Sequence, residues 1–179
     1  MQSIQPIQFD TLGDATKLLL AAASAETGVS SNMIKTLAQS PRVLEGYMQF
    51  SRALAGGVLD PKIREQIALV VAQENLCEYS LAYHTSLARK LGLTDDQIMA
   101  SREGRTPDRK TTAILAFVRD LVSENGDCST AELHRAGFSE GEIVDIIALA
   151  SVNVFENYFN LVARTEIDFP KVRLRLKAA

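Results

Sequence analysis

Apolar residues recur every three or four positions along most of the chain, the period of an amphipathic helix, and no stretch alternates with the period of two that a strand requires. Ile63, Ile67, Val70 and Val71 fall on one helical face. Between Pro107 and Asn125, Ile114, Leu115, Phe117, Val118, Leu121 and Val122 form another apolar face. Leu12 to Ala23 is rich in Ala and Leu, with Gly28 beyond as a stop. The last long helix is expected from about Glu140 to Arg164, ended by Asp168-Phe169-Pro170.

Punctuation supports these periods. Ser31 reads as the cap of a short helix through Leu37. Ser40-Pro41 reads as N-cap and first helical residue, opening a helix through Leu54 that halts at Gly56-Gly57, and Asp60-Pro61 repeats that start. A break near Asn75-Leu76 precedes a helix from about Cys77 to Leu91, stopped by Gly92. Thr94 with Gln97, Ser129 with Glu132 and Ser139 with Glu142 have the spacing of capping boxes. The basic tail Lys171 to Lys177 reads as a solvated strap. The pattern predicts an all-α bundle in one domain, residues 1–179.

Displacing the chain by 80 positions pairs Gly57 with Gly137, Ile63 with Ile143, and Ile67-Ala68-Leu69 with Ile147-Ala148-Leu149. Chance agreement between two amphipathic helices and a duplicated helical hairpin both fit this echo. In the second case Cys77, Ser80 and His84 meet Asn157, Asn160 and Arg164, and the second copy serves packing and assembly.

Composition narrows the function classes. The chain has 179 residues, 46% of them apolar, enough for a sizeable core. A net charge of −3 argues against strong nucleic-acid binding. No uninterrupted apolar run is long enough to span a bilayer, and the first residues lack the blocks of a signal peptide. Two cysteines, Cys77 and Cys128, are too few for a disulfide framework, so the cytoplasm is expected.

The candidate chemistry lies in Cys77-Glu78-Tyr79-Ser80-Leu81-Ala82-Tyr83-His84, preceded by Glu65. On a helix, Cys77, Ser80 and His84 project within one narrow arc. A cysteine at a helix start is favoured as thiolate by free N–H groups and the dipole, and more so than Cys128 in its turn. His84 exchanges protons near neutral pH, and Glu65 on the preceding helix completes a relay. Against this, a lone cysteine in a helical core is most often a small hydrophobe. Tyr79 and Tyr83 read as core or interface. One Cys and one His on a helix do not make a closed metal site, so neither metal nor cofactor is expected.

The run from Asn75 to Thr85 resembles the redox motif of the alkylhydroperoxidase D-like, peroxidase-related branch of the carboxymuconolactone decarboxylase family, in which Cys-x-x-Cys is followed by His. Asn157-Tyr158-Phe159-Asn160 and Thr165 to Pro170 are similar to its tail, and the likeness runs from about Val43 to Pro170. The resemblance implies an all-α fold assembling as dimers, trimers or hexamers. It implies catalytic roles for Glu65, Cys77, His84 and the residue at Ser80, a peroxide or other small-molecule substrate, and a dithiol reductant. In the redox members the second cysteine attacks the peroxide and the first resolves the sulfenate as a disulfide.

Ser80 stands where that second cysteine belongs, and a hydroxyl forms neither sulfenic acid nor disulfide. A natural loss of the dithiol cycle and a Cys→Ser exchange made to trap an inactive form both fit. The expected function is a thiol-dependent peroxidase of antioxidant type with an impaired cycle. The alternatives are a non-redox, lactone decarboxylase-like enzyme using Glu65 and His84, and a non-enzymatic helical assembly protein. A Ser80–His84 hydrolase ranks below these, because the sequence has no nucleophile elbow.

Overall fold

The computed structural model describes residues 2–8, 13–27 and 30–175. Leu12, Gly28, Leu176 and Lys177, named above, lie outside them. The elements are α1 (Asp14–Thr27), α2 (Asn32–Leu37), α3 (Pro41–Ala55), α4 (Pro61–Glu74), α5 (Glu78–Lys90), α6 (Asp95–Arg102), α7 (Arg109–Ser123), α8 (Ala131–Arg135) and α9 (Glu140–Ala163), with no strand among the described residues.

Most helix starts follow the expected capping chemistry. Ser31 accepts from the Ile34 N–H, Asp60 from that of Lys62, and Asp108 from that of Thr111. The Thr94/Gln97 and Ser139/Glu142 boxes both close. The Ser129/Glu132 box does not. Thr130 takes the N-cap in helical φ/ψ, and the Ser129 hydroxyl accepts from the Ala131 N–H, two residues on.

Helix α4 is the axis of the molecule. Its residues from Gln66 to Gln73 are all buried, as expected of a helix covered on every side. It packs against α5, α6, α7 and α9. Ile67, Val70 and Val71 join Ile114, Leu115 and Val118 of α7 and Ile143, Ile146 and Ala150 of α9 in one core cluster. A second cluster gathers α1, α2 and α3 around Cys77 and Tyr79. The polar residues at the ends of α4's buried stretch are satisfied: Gln66 donates to Ser101 at 2.9 Å, and Gln73 accepts from the Arg102 guanidinium at 2.6 Å.

Two expectations change in three dimensions. The duplicated hairpin does not form, because α9 runs unbroken for 24 residues across the positions equivalent to the Asn75–Cys77 break. The described part of the basic tail, residues 171–175, is docked through its apolar side chains and backbone while its basic side chains stay exposed. Val172 and Leu174 pack on the cluster around Leu69 and Leu81, while Arg102 donates to the Arg173 carbonyl and Gln73 to that of Arg175. By length and mean hydropathy, 1.3, α9 also resembles a membrane span, but half of that window is buried inside the fold. Part of its apolar content is used by the core, and Val144, Ile147, Phe155, Tyr158, Leu161 and Val162 remain exposed.

Candidate active site

The α4–α5 turn delivers the cysteine. The Cys77 N–H donates to the Ala72 carbonyl at 2.9 Å and the Leu76 N–H to that of Gln73 at 3.2 Å, which closes a Schellman turn. The left-handed position is filled by Leu76, φ 54°, where glycine is usual. Cys77 thereby becomes the N-cap of α5, only 1% exposed, and its thiol donates to the Ser80 hydroxyl at 3.3 Å. Burial pushes the Cys77 thiol up, opposed in part by the bond to Ser80. The helix start does not produce the expected thiolate, because desolvation outweighs the N-terminal field.

The relay forms. Glu65 projects from α4 to His84 on α5, with Oε2 2.9 Å from Nδ1. The sequence reading missed the group on the other side of the ring. Glu156 of α9, itself buried, places Oε2 3.5 Å from His84 Nε2, an ion-pair distance at which Nε2 has no hydrogen-bond partner. Its other oxygen accepts from the Tyr47 hydroxyl of α3 at 2.9 Å. Burial acts to lower the His84 pKa. The charge of Glu65 and the contacts with both carboxylates outweigh it and raise the value to about 10. Tyr47 and Tyr83 are both raised, first by burial and then by the Glu156 charge.

The two halves of the site face different surroundings. His84, Glu65, Glu156, Tyr47 and Tyr83 line a cavity of about 230 Å³ whose lining includes neither Cys77 nor Ser80. Cys77 and Ser80 lie instead against the inner face of α9, where Asn160 donates to Ser80 at 3.4 Å. Both polar atoms of the Asn157 side chain are buried without a partner. Of the two, Asn160 touches the site directly, through Ser80. The signal was available in the sequence: Asn153, Glu156, Asn157 and Asn160 repeat at helical spacing on a face that is otherwise apolar. Tyr79 donates no chemistry here. Its hydroxyl accepts from the Met33 N–H, and its ring meets Phe169 edge-on. Among the described residues, no group of three His, Cys, Asp or Glu side chains converges as a metal site would require.

Residues 41–121 match the model of the carboxymuconolactone decarboxylase family, a span holding Tyr47, Glu65, Cys77, Ser80 and His84 but not Glu156. No curated protein sequence matches the chain. Among solved structures, a variant of the debrominase Bmp8 in complex with 2,3,4-tribromopyrrole superposes with TM-score 0.81 at 18% identity, covering 94% of this chain and 92% of that one. An uncharacterized peroxidase-related protein from Silicibacter sp. TM1040 gives 0.80 at 20%, covering 92% of each chain. The alkylhydroperoxidase AhpD core protein from Ralstonia eutropha JMP134, also peroxidase-related and uncharacterized, gives 0.79 at 20%, covering 94% of each. At these identities the likeness is one of fold.

Proposed function

We propose that this chain, whose residues 41–121 belong to the carboxymuconolactone decarboxylase family, is a thiol-dependent peroxidase of the alkylhydroperoxidase D type whose dithiol cycle is interrupted at Ser80. The observation that carries the reading is the 3.3 Å contact between Cys77 Sγ and Ser80 Oγ, one helical turn before a histidine fixed by Glu65. A sulfur at position 80 would lie within reach of Cys77 with little backbone movement. In the completed cycle a thiolate attacks one peroxide oxygen and the O–O bond breaks. The departing alkoxide takes a proton from the relay, and the sulfenic acid condenses with the second thiol to give a disulfide and water. A dithiol reductant then restores both thiols. Two free cysteines fit a reducing compartment, which supports the cytoplasm as the site of action.

The test is a peroxide assay with a dithiol reductant on the chain as it stands and on Ser80→Cys. The unaltered chain is expected to turn over negligibly. The variant is expected to form a reversible disulfide with Cys77 and to gain activity. A variant that forms no disulfide under mild oxidation, or gains nothing, overturns the reading.

One observation favours a second reading. The cavity opens on His84, Glu65 and Glu156 and on no sulfur, the arrangement a proton-transfer enzyme would use on a small carbon acid or lactone. A fold whose distant relatives include a debrominase does not choose the reaction; the site does. Turnover of a carboxymuconolactone by the unaltered chain, with no gain of peroxidase in Ser80→Cys, selects this alternative.

A further inference from the structure

Among the groups facing the cavity, Glu156 has no part in the motif around Cys77, yet it is built into the site more firmly than a packing residue would be. It is a carboxylate on the inner face of α9, buried to 6% exposure and anchored at Oε1 by the Tyr47 hydroxyl. A buried carboxylate is costly unless it is paired, and among the described residues its ion-pair partner is the His84 ring, 3.5 Å from Oε2. The ring is thus held between two carboxylates from different helices, Glu65 at Nδ1 and Glu156 at Nε2.

We infer that Glu156, oriented by Tyr47, is a positioning residue of this site: it flanks His84 on the Nε2 side, so that the imidazole stays protonated, with its Nε2–H held between the ring and the Glu156 carboxylate at the cavity wall.

Glu65 fixes the orientation of the ring, and its charge is the first of the influences that favour the protonated form. The second carboxylate reinforces that form, because a lone proton on Nδ1 would leave an Nε2 lone pair facing the Glu156 charge. A protonated ring removes that repulsion. The remaining groups around the ring do not supply a second negative charge at this edge. Arg64 of α4 lines the same cavity but donates to the Ala55 and Leu59 carbonyls. Tyr83 of α5 meets the imidazole edge-on with ring centroids 4.9 Å apart, and Tyr47 of α3 is committed to Glu156. Cys77 lies outside the cavity lining. The Nε2–Glu156 gap is too long for a good hydrogen bond, so charge rather than a hydrogen bond holds the proton at this buried atom. Under the peroxidase reading, on which this last use rests, the charged ring supplies positive potential to the cavity where the alkoxide departs.

The test is an NMR titration of the two imidazoles, His84 and His134, from pH 5 to 11 in the full chain and in Glu156→Gln. The unaltered chain is expected to show a His84 ring still protonated at pH 8. The glutamine variant keeps an acceptor for Tyr47 and removes the charge. It is expected to lower the His84 midpoint by at least about one pH unit, tenfold in proton affinity, while exposed His134 stays where it was. A His84 ring that is neutral at pH 8 in the unaltered chain overturns the inference without any variant. So does a midpoint that Glu156→Gln leaves in place.

If that variant fails to fold, Glu65→Gln decides. With Glu156 still beside the ring, its His84 midpoint is expected to remain above the ordinary histidine value of about 6.5, and a fall to that value overturns the inference. In the Ser80→Cys background, Glu156→Gln is expected to shift the pH–rate profile to lower pH. An inactive Ser80→Cys removes the peroxidase reading and leaves the titration standing; an active one with an unmoved titration removes this inference alone.

Discussion

At the scale of single residues, desolvation and local charge compete, and they resolve differently at the start and in the middle of one helix. His84 has carboxylates on both sides, so the charged form wins despite burial. Cys77 has the Ser80 hydroxyl and backbone N–H groups but no cation beside it among the described residues, and burial outweighs them in favour of the neutral thiol. Alkylation of the folded protein at neutral pH is therefore expected at Cys128 first, since it is partly exposed, with Cys77 protected until the fold opens. Mass-spectrometric labelling in which Cys77 reacts first would refute that order. The histidine also links to stability. Its pKa is raised from an unfolded value of about 6.5 to about 10 in the fold. The contribution is fully present below the lower value and is lost as pH rises through the upper one. Thermal melts between neutral pH and pH 10 are expected to lose more stability in the unaltered chain than in His84→Gln. Parallel curves for the two would count against it.

At the scale of elements, the α4–α5 turn carries a local conflict. Schellman turns place glycine in the left-handed position, as Gly92 does after α5, with φ 83°. Leu76 occupies that position before Cys77, and a left-handed conformation costs an L-residue roughly 1–2 kcal/mol. Its side chain is largely exposed and packs into no core cluster. Leu76→Gly is expected to be neutral or stabilising by up to about 1 kcal/mol after the extra entropy of the unfolded chain is counted. Leu76→Val, β-branched at a positive φ, is expected to destabilise; denaturant midpoints for the two variants provide the check, and a glycine variant less stable than the valine one would sink it. The same helices explain what was legible in the sequence. Period and caps were enough to place α3, α4, α5, α6, α7 and α9 within a few residues, because each is set by local chemistry. The Glu65–His84 pair was legible too, since helical geometry brings one face of α4 to one face of α5. Glu156 and Tyr47 were not, because which helices cross at His84 is decided by how α3 and α9 pack on α4. A local pattern does not encode that. The Ser129 box failed for a smaller reason: Ser129 satisfied the N–H two residues on before the third could compete.

At the scale of the whole molecule, α9 has two apolar faces. One is the core face. The other carries Val144, Ile147, Phe155, Tyr158 and Val162, all exposed and spaced three or four apart, with Ser151 filling the one gap in the stripe. Exposed Val43 and Phe50 of α3 extend the patch across a shallow groove shared with Phe155. A single apolar side chain on a surface needs no explanation, but a continuous stripe along a 24-residue helix does. The stripe carries no charge and has the spacing by which two copies of one helix pack side by side. A second copy of this chain is therefore the expected occupant, giving a homo-oligomer of dimer order or higher. Light scattering at micromolar concentration is expected to give a mass at least twice 19.6 kDa. Tyr158→Glu with Val162→Glu places two charges on the stripe away from the cavity lining and is expected to lower that mass. The patch also touches the site. The Phe155 ring lies 6.2 Å from that of Tyr47, whose hydroxyl holds Glu156. Covering Phe155 would therefore limit how far Tyr47 can move. If the charged variant becomes monomeric, its His84 titration is expected to broaden or shift relative to the assembled chain. A monomeric mass for the unaltered protein would mean that the stripe does not pair copies of this chain, and the expected link from assembly to relay would fall with it.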